Sequence, residues 1–340
     1  MNVGWVLGSA IASFAIAALF GKWLIPFLKK VKYGQTILEE GPKWHEKKQG
    51  TPTMGGFMFI LASVVTTLVC VLLFYTTSGG SPAVLGDMGR VIAGVFMAVA
   101  YGAVGFIDDY IKVVKKRNLG LTAKQKLVLQ FAIAAAYLLT LYILGGNSII
   151  EIPFLGGYDL GIFYWILSAI AIVGVVNAVN LSDGIDGLVG SESFFVSLGF
   201  MLLSSVLQMQ CSGIMASALA GGCLGFLVWN FHPAKVFMGD TGSLYLGGYI
   251  CAMAYAVNKP IILILIALPY LIEMLSVILQ VTYFKLTHGK RLFKMSPIHH
   301  HFEMCGWSEV KIVIVFSIFT GICAVASVLI VIFGFGITFI

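Results

Sequence analysis

Ten apolar stretches, each close to the length that crosses a bilayer, dominate this sequence. They lie near residues 3–28, 54–75, 90–107, 127–145, 161–180, 188–208, 211–230, 243–257, 260–284 and 311–336. A membrane helix takes roughly 20 apolar residues, so a chain with this pattern has few other folds open to it. Of its 340 residues, 59% are hydrophobic and 11% charged; a soluble domain carries about 25% charge. One aqueous core could not hide so much apolar surface, which excludes a soluble enzyme. The stretches are continuous rather than alternating, which argues against a lipid-facing barrel. The expected fold class is an all-α polytopic membrane protein of ten spans, forming one integral-membrane domain over residues 1–340. The first stretch is too long for the core of a signal peptide and is expected to stay as a span. Six scattered cysteines with no Cys-x-x-Cys pair suggest neither a disulfide framework nor a zinc site.

The basic residues give the orientation. Segments 29–53, 108–126, 231–242 and 285–311 hold 18 of the 21 lysines and arginines, all on alternate connections. The positive-inside rule puts them in the cytosol together with 181–187, so both termini are expected outside. The net charge of +6 is a topological signal first. It also favours anionic lipid and anionic substrates, and no nucleic-acid partner is expected. Residues 151–160, with Pro153, Gly156 and Gly157, read as a short hairpin between the fourth and fifth spans. Pro269 should kink the ninth span.

The acidic residues sort to the same face. Asp108, Asp109, Asp183, Asp186 and Asp240 fall in the cytosolic connections or at the inner ends of spans, and only Glu192 and Glu273 lie within apolar spans. A transporter would be expected to spread ionisable groups along a midplane pathway. Asp108-Asp109-Tyr110-Ile111-Lys112 ends the third span. If the helix continues, Lys112 sits one turn from both carboxylates, a set able to supply a metal ligand, a general base and a phosphate partner. Lys124 and Lys126 follow in the same connection, where each could contact an anionic substrate or simply be solvated.

Asn177, Asn180, Asp183 and Asp186 recur every third residue. A regular helix would swing that row by about 60° per step, so Gly184 and Gly187 are expected to break the helix and turn these groups into one pocket. Phe237-Met238-Gly239-Asp240-Thr241-Gly242-Ser243 reads as a glycine-rich turn whose Asp240 suits a hard cation. His299, His300 and His301 lack zinc-site spacing and suit hydrogen bonding to phosphate or sugar. Thr51-Pro52-Thr53-Met54-Gly55-Gly56, just after Lys47 and Lys48, is locally only a turn and a helix start. Carboxylates in a lysine-rich surround point to Mg²⁺-dependent phosphoryl chemistry on a diphosphate, with a lipid as the second reactant.

At these motifs, and over nearly the whole chain, the sequence resembles the phospho-N-acetylmuramoyl-pentapeptide transferase family, within the polyprenyl-phosphate N-acetylhexosamine-1-phosphate transferases. The segments Thr51 to Gly56 and Pro297 to Glu303 favour the muramoyl-pentapeptide branch over enzymes using other UDP-hexosamines. The resemblance implies a homodimer in the bacterial cytoplasmic membrane that makes lipid I and UMP from UDP-N-acetylmuramoyl-pentapeptide and undecaprenyl phosphate. It implies Mg²⁺ as cofactor, with Asp240 the main ligand and Asp108 and Asp109 beside it. Asp108 would be the base for the lipid phosphate. Asn180, Asp183, Asp186 and Phe237 would hold the nucleoside end, and Asn177 would be a further substrate-binding residue. Lys48, Thr53, Lys112, Lys124, His299, His300 and His301 would line the phosphate and sugar path. Direct attack by the lipid phosphate and a phosphoryl-enzyme route both remain open.

Overall fold

The computed structural model describes residues 1–31, 50–114 and 120–337. Lys48 lies outside the described residues. Helices α1 (Val3–Lys30), α2 (Phe57–Thr77), α3 (Pro82–Val114) and α4 (Ala123–Ile143) come first. A hairpin of β1 (Ile149–Ile152) and β2 (Gly156–Asp159) precedes α5 (Ile162–Ser182), α6 (Leu188–Val206), α7 (Gln210–Asn230) and α8 (Gly239–Ala256). A 3-10 turn, Pro260–Ile262, leads to α9 (Leu263–Ile266), α10 (Leu268–Leu286), α11 (Ile298–Met304) and α12 (Glu309–Gly334).

Each expected apolar stretch is helical, and the chain folds as an all-α polytopic membrane protein. Among the described residues, α1 to α7 and α12 are long and apolar enough to cross a bilayer singly. The bent pair Pro260–Ile266 and Leu268–Leu286 makes a ninth candidate, with 71° between its halves. Pro269 stands in the first turn of α10. There its missing N–H costs nothing, so it starts a new helix rather than kinking a continuous one. The hairpin pairs Ile149 with Asp159 and Ile152 with Gly156, two residues earlier than the sequence suggests. The backbone N–H of Phe154 donates to Gly334 O at 2.8 Å, tying the hairpin to the end of α12.

The stretch expected at 243–257 differs most from the expectation. Helix α8 begins at Gly239, and glycine, serine and tyrosine make it too polar to count as a span by composition. Every side chain from Thr241 to Ala256 is buried. A helix enclosed by other helices meets no lipid, so its surface need only match its neighbours. With no water to expel inside a bilayer, that matching comes from close packing at small residues and from interhelical hydrogen bonds. A methyl group added to Gly94 on α3 would come within 2.7 Å of Ala252 Cβ on α8. One on Gly221 of α7 would come within 2.0 Å of Ala10 O on α1. Hydroxyl pairs join further helices: Ser9 to Ser217 at 2.6 Å, Ser63 to Tyr245 at 2.7 Å and Thr67 to Tyr249 at 2.9 Å. Trp23, Phe27, Leu72, Phe163 and Ile322 stand exposed on the outer helices, where lipid would cover them.

Gly221→Ala is expected to overpack the contact of α7 with α1 and to destabilise the protein by about 1–3 kcal/mol. A melting temperature in detergent would report this, with Gly8→Ala as a neutral control, since a methyl group there meets nothing within 4 Å.

Candidate active site

The C-terminal turns of α3, the start of α4, the end of α5 and the start of α8 meet at one end of the bundle. Helix α3 does continue past its apolar stretch, and this carries Asp109 under the first turn of α8. The Asp109 carboxylate accepts the Asp240 N–H at 3.2 Å, the Thr241 N–H at 2.9 Å and the Thr241 hydroxyl at 2.7 Å. It therefore serves as the N-terminal cap of α8 from another helix, placing negative charge against the unpaired N–H groups there. Gly105, one turn earlier on α3, makes the approach possible: a Cβ there would lie 2.0 Å from Asp240 O.

The segment at 51–56 braces this corner. Gly55 and Gly56 donate their N–H groups to Phe237 O at 2.8 Å and Met238 O at 3.1 Å, and Phe237 N–H donates to Pro52 O at 2.8 Å. Gly239 then turns the chain into α8 with φ of +70°, a conformation that favours glycine. A Cβ on it would lie 2.6 Å from Asp109 Oδ2 and 2.7 Å from Thr53 Oγ1, which fixes Thr53 beside the carboxylates. Asp240 thus stands in the first turn of a helix, not in the glycine-rich turn that the sequence suggests.

Asp240 gathers the charge. Lys112 Nζ lies 3.0 Å and Lys126 Nζ 3.2 Å from its Oδ2, while Asn180 Nδ2 donates to its Oδ1 at 2.8 Å. Lys112 also contacts Asp108 at 2.6 Å. Asp108 accepts the Leu121 N–H at 2.8 Å, and a Cβ on Gly120 would lie 2.5 Å from its Oδ1. One oxygen each from Asp108, Asp109 and Asp240 can be chosen so that all lie within 4.8 Å of one another. This all-oxygen donor set fits a hard divalent cation such as Mg²⁺ and offers no soft ligand.

Other sequence candidates divide. Helix α5 ends at Ser182 and α6 starts after Gly187 at φ of +82°, so the helix breaks where the glycines suggest. Burial, and after it the charges of Asp240, Asp109 and Asp186, push the Asp183 carboxyl up to about 8. A cation nearby would favour its charged form instead. Asp186 turns toward the chain after α7, accepting the Ala234 N–H at 3.0 Å with His232 Nδ1 at 3.2 Å. Asn177 is taken up by Gln130 on α4, to which it donates at 2.7 Å. Phe237 is half-buried, and its backbone forms the brace.

His299 and His300 stack on Gly184: a Cβ there would lie 2.2 Å from His299 Nε2 and 3.1 Å from His300 Nε2. His301 faces away and accepts the Lys294 N–H at 3.1 Å through Nδ1. Lys124 is exposed, and helix geometry turns it about 200° from Lys126. Lys126, rather than Lys124, reaches the site and bridges Asp240 to Asn180 Oδ1, the latter at 3.1 Å. Sequence reasoning leaves Gln130 and Ser243 out. The spacing of Lys126 and Gln130, one turn apart behind the capping pair Thr122 and Gln125, is the signal that could have found the first.

The family model of glycosyl transferase family 4 matches residues 91–258. A Bacillus subtilis (strain 168) protein is 47% identical over 312 residues, covering 92% of this chain and 93% of that protein. A Listeria monocytogenes protein is 44% identical over 335 residues, covering 98% and 100% respectively. One from Shouchella clausii is 45% identical over 319 residues, covering 94% and 95%. All three bear the name phospho-N-acetylmuramoyl-pentapeptide-transferase. The chain belongs to that family. The span of 91–258 takes in the carboxylates, Lys112, Lys126 and the break after α5. The brace at 51–56 and the histidines of α11 fall outside it, but within the nearly full-length match to the phospho-N-acetylmuramoyl-pentapeptide-transferases.

Asp109→Ala should cost stability as well as activity, because it uncaps α8. The expected loss is about 1–2 kcal/mol, seen as a lower detergent melting temperature. Lys124→Ala, at an exposed position on α4, should leave the melting temperature unchanged.

Proposed function

We propose that this end of the bundle transfers phospho-N-acetylmuramoyl-pentapeptide from its UDP-linked donor to undecaprenyl phosphate, giving lipid I and UMP in peptidoglycan synthesis. The observation that carries this is the meeting of Asp108, Asp109 and Asp240 with Lys112 and Lys126, in a chain of this family. The protein acts as one membrane domain in the bacterial cytoplasmic membrane, as a homodimer, with this end in the cytosol and both termini outside. Supporting that orientation, 18 of the 21 basic residues lie on the connections assigned to this side.

In the mechanism, an oxygen of the lipid phosphate forms a bond to the sugar-bearing phosphorus of the donor. The bond from that phosphorus to the bridging oxygen breaks, and UMP leaves with that oxygen. Asp108 takes any proton the lipid phosphate still carries. Lys112 and Lys126 hold the diphosphate oxygens and lower the cost of bringing two anions together. Asn180 and Ser243 keep Asp240 in place, the Asn180 amide donating to Ser243 Oγ at 2.8 Å. Asp183 and Phe237 receive the nucleoside end, whereas Asp186 acts by holding the neighbouring loop. Asp240, with Asp108 and Asp109 beside it, would hold Mg²⁺, which when bound would supply charge neutralisation on the diphosphate.

The purified protein with Mg²⁺ should convert UDP-N-acetylmuramoyl-pentapeptide and undecaprenyl phosphate to lipid I, and UDP-N-acetylglucosamine should not replace the donor. Asp240→Asn should abolish turnover in extractable, folded protein, and near-normal activity of that variant would defeat the metal assignment. A pH dependence also follows. Asp183, held up to about 8, is largely protonated at neutral pH, and a cation bound at the neighbouring carboxylates would favour its ionised form. Mg²⁺ affinity should therefore rise with pH up to about 8 and level off above it. Titration calorimetry in buffers of different ionisation enthalpy would read the released proton, and Asp183→Asn should remove part of it.

A further inference from the structure

Two carboxyls from the apolar interior take no part in the mechanism above. Glu192 on α6 and Glu273 on α10 are both fully buried, and Glu192 lies within electrostatic reach of Glu273. Glu273 Oε2 lies 3.0 Å from His299 Nδ1 and also faces the His299 backbone N–H at 3.4 Å. His299 is fully buried as well, and its Nε2 has no hydrogen-bond partner among the described residues. That nitrogen is directed at Gly184, the residue after Asp183, where only a glycine leaves it room.

A histidine ring bonded through one nitrogen has its rotation and the position of its proton set by that bond, and the other nitrogen becomes the working edge. An unpartnered ring nitrogen is costly in a buried place unless something meets it there. We infer that Glu273 is a positioning residue, which holds His299 by its Nδ1–H so that Nε2 meets a polar group of the sugar-nucleotide donor over Gly184. Among the described residues, Glu273 is linked to the site through His299. This rests on the transferase reading above and deepens it: the membrane half of α10 sets donor affinity without touching the donor.

The experiment uses the full chain in detergent and measures KM for the UDP-linked donor and for the lipid phosphate separately, in wild type, Glu273→Leu, Glu273→Gln, His299→Asn and the double variant Glu273→Leu/His299→Asn. Glu273→Leu and His299→Asn should each raise donor KM about tenfold or more, the effect of losing a hydrogen bond to a charged or buried partner, with lipid KM within about twofold. The double variant should be no worse than His299→Asn alone, since both changes break one linkage. Glu273→Gln, whose amide oxygen still accepts from Nδ1–H, should recover most of the affinity. Independent losses in the double variant, or equal changes in both KM values, would overturn the inference while leaving the transferase reading intact. Inactive wild-type protein would instead overturn the transferase reading. Should Glu273→Leu not fold, nitrogen-15 NMR of histidine-labelled wild type, assigned by difference with His299→Asn, decides the matter. Protonated Nδ1 on His299 supports the inference, and bare Nδ1 sinks it.

Discussion

The site depends on one contact, the seating of the α8 N-terminus on the Asp109 carboxylate. Backbone N–H groups at a helix start are unpaired by construction, and buried ones must find a partner within the protein. Asp109 meets two of them and a hydroxyl besides. The same contact sets the distance between α3 and α8, and hence between Asp108 and Asp240. Gly105 and Gly239 are the steric conditions for it, and the brace from Pro52 to Gly56 closes it from the third side. An acidic pair that reads as two catalytic groups therefore divides the work. Asp109 builds the corner, and Asp108 faces the lysines.

Much of the fold was legible in the sequence because a bilayer is a demanding solvent. Apolar runs near 20 residues have one cheap conformation there, and α1 to α7 and α12 fall where those runs lie. Helix α8 was the least legible, since its neighbours rather than lipid decide its surface. The bend before Pro269 shows a related limit: the proline was visible, but its place at the start of α10 depends on where the preceding turn ends.

The site was legible as a set of residue types and less so as contacts. The aspartates, Lys112 and Asn180 come together as their motifs suggest. Lys126 replaces Lys124 because rotation along α4, not charge, decides which lysine faces inward. Asn177 and Asp186 belong to the right motif but are spent on Gln130 and on the chain after α7. Of three consecutive histidines, a short helix can turn only some toward one point, and His301 is left to the backbone of Lys294. Glu273 could not be assigned from the sequence, because His299 lies 26 residues away and on another helix.

The enclosure of α8 has a mechanical consequence. A helix in contact with lipid feels the thickness and tension of the bilayer and adjusts its tilt to them. From Thr241 to Ala256, α8 has protein on every side. The carboxylate at its head is insulated from the membrane in which the protein sits. The peripheral helices can tilt with a changing lipid composition while the spacing among Asp108, Asp109 and Asp240 stays as the inner packing sets it. The bilayer then enters the chemistry as the phase that delivers one substrate, and not as a force on the groups that act on it.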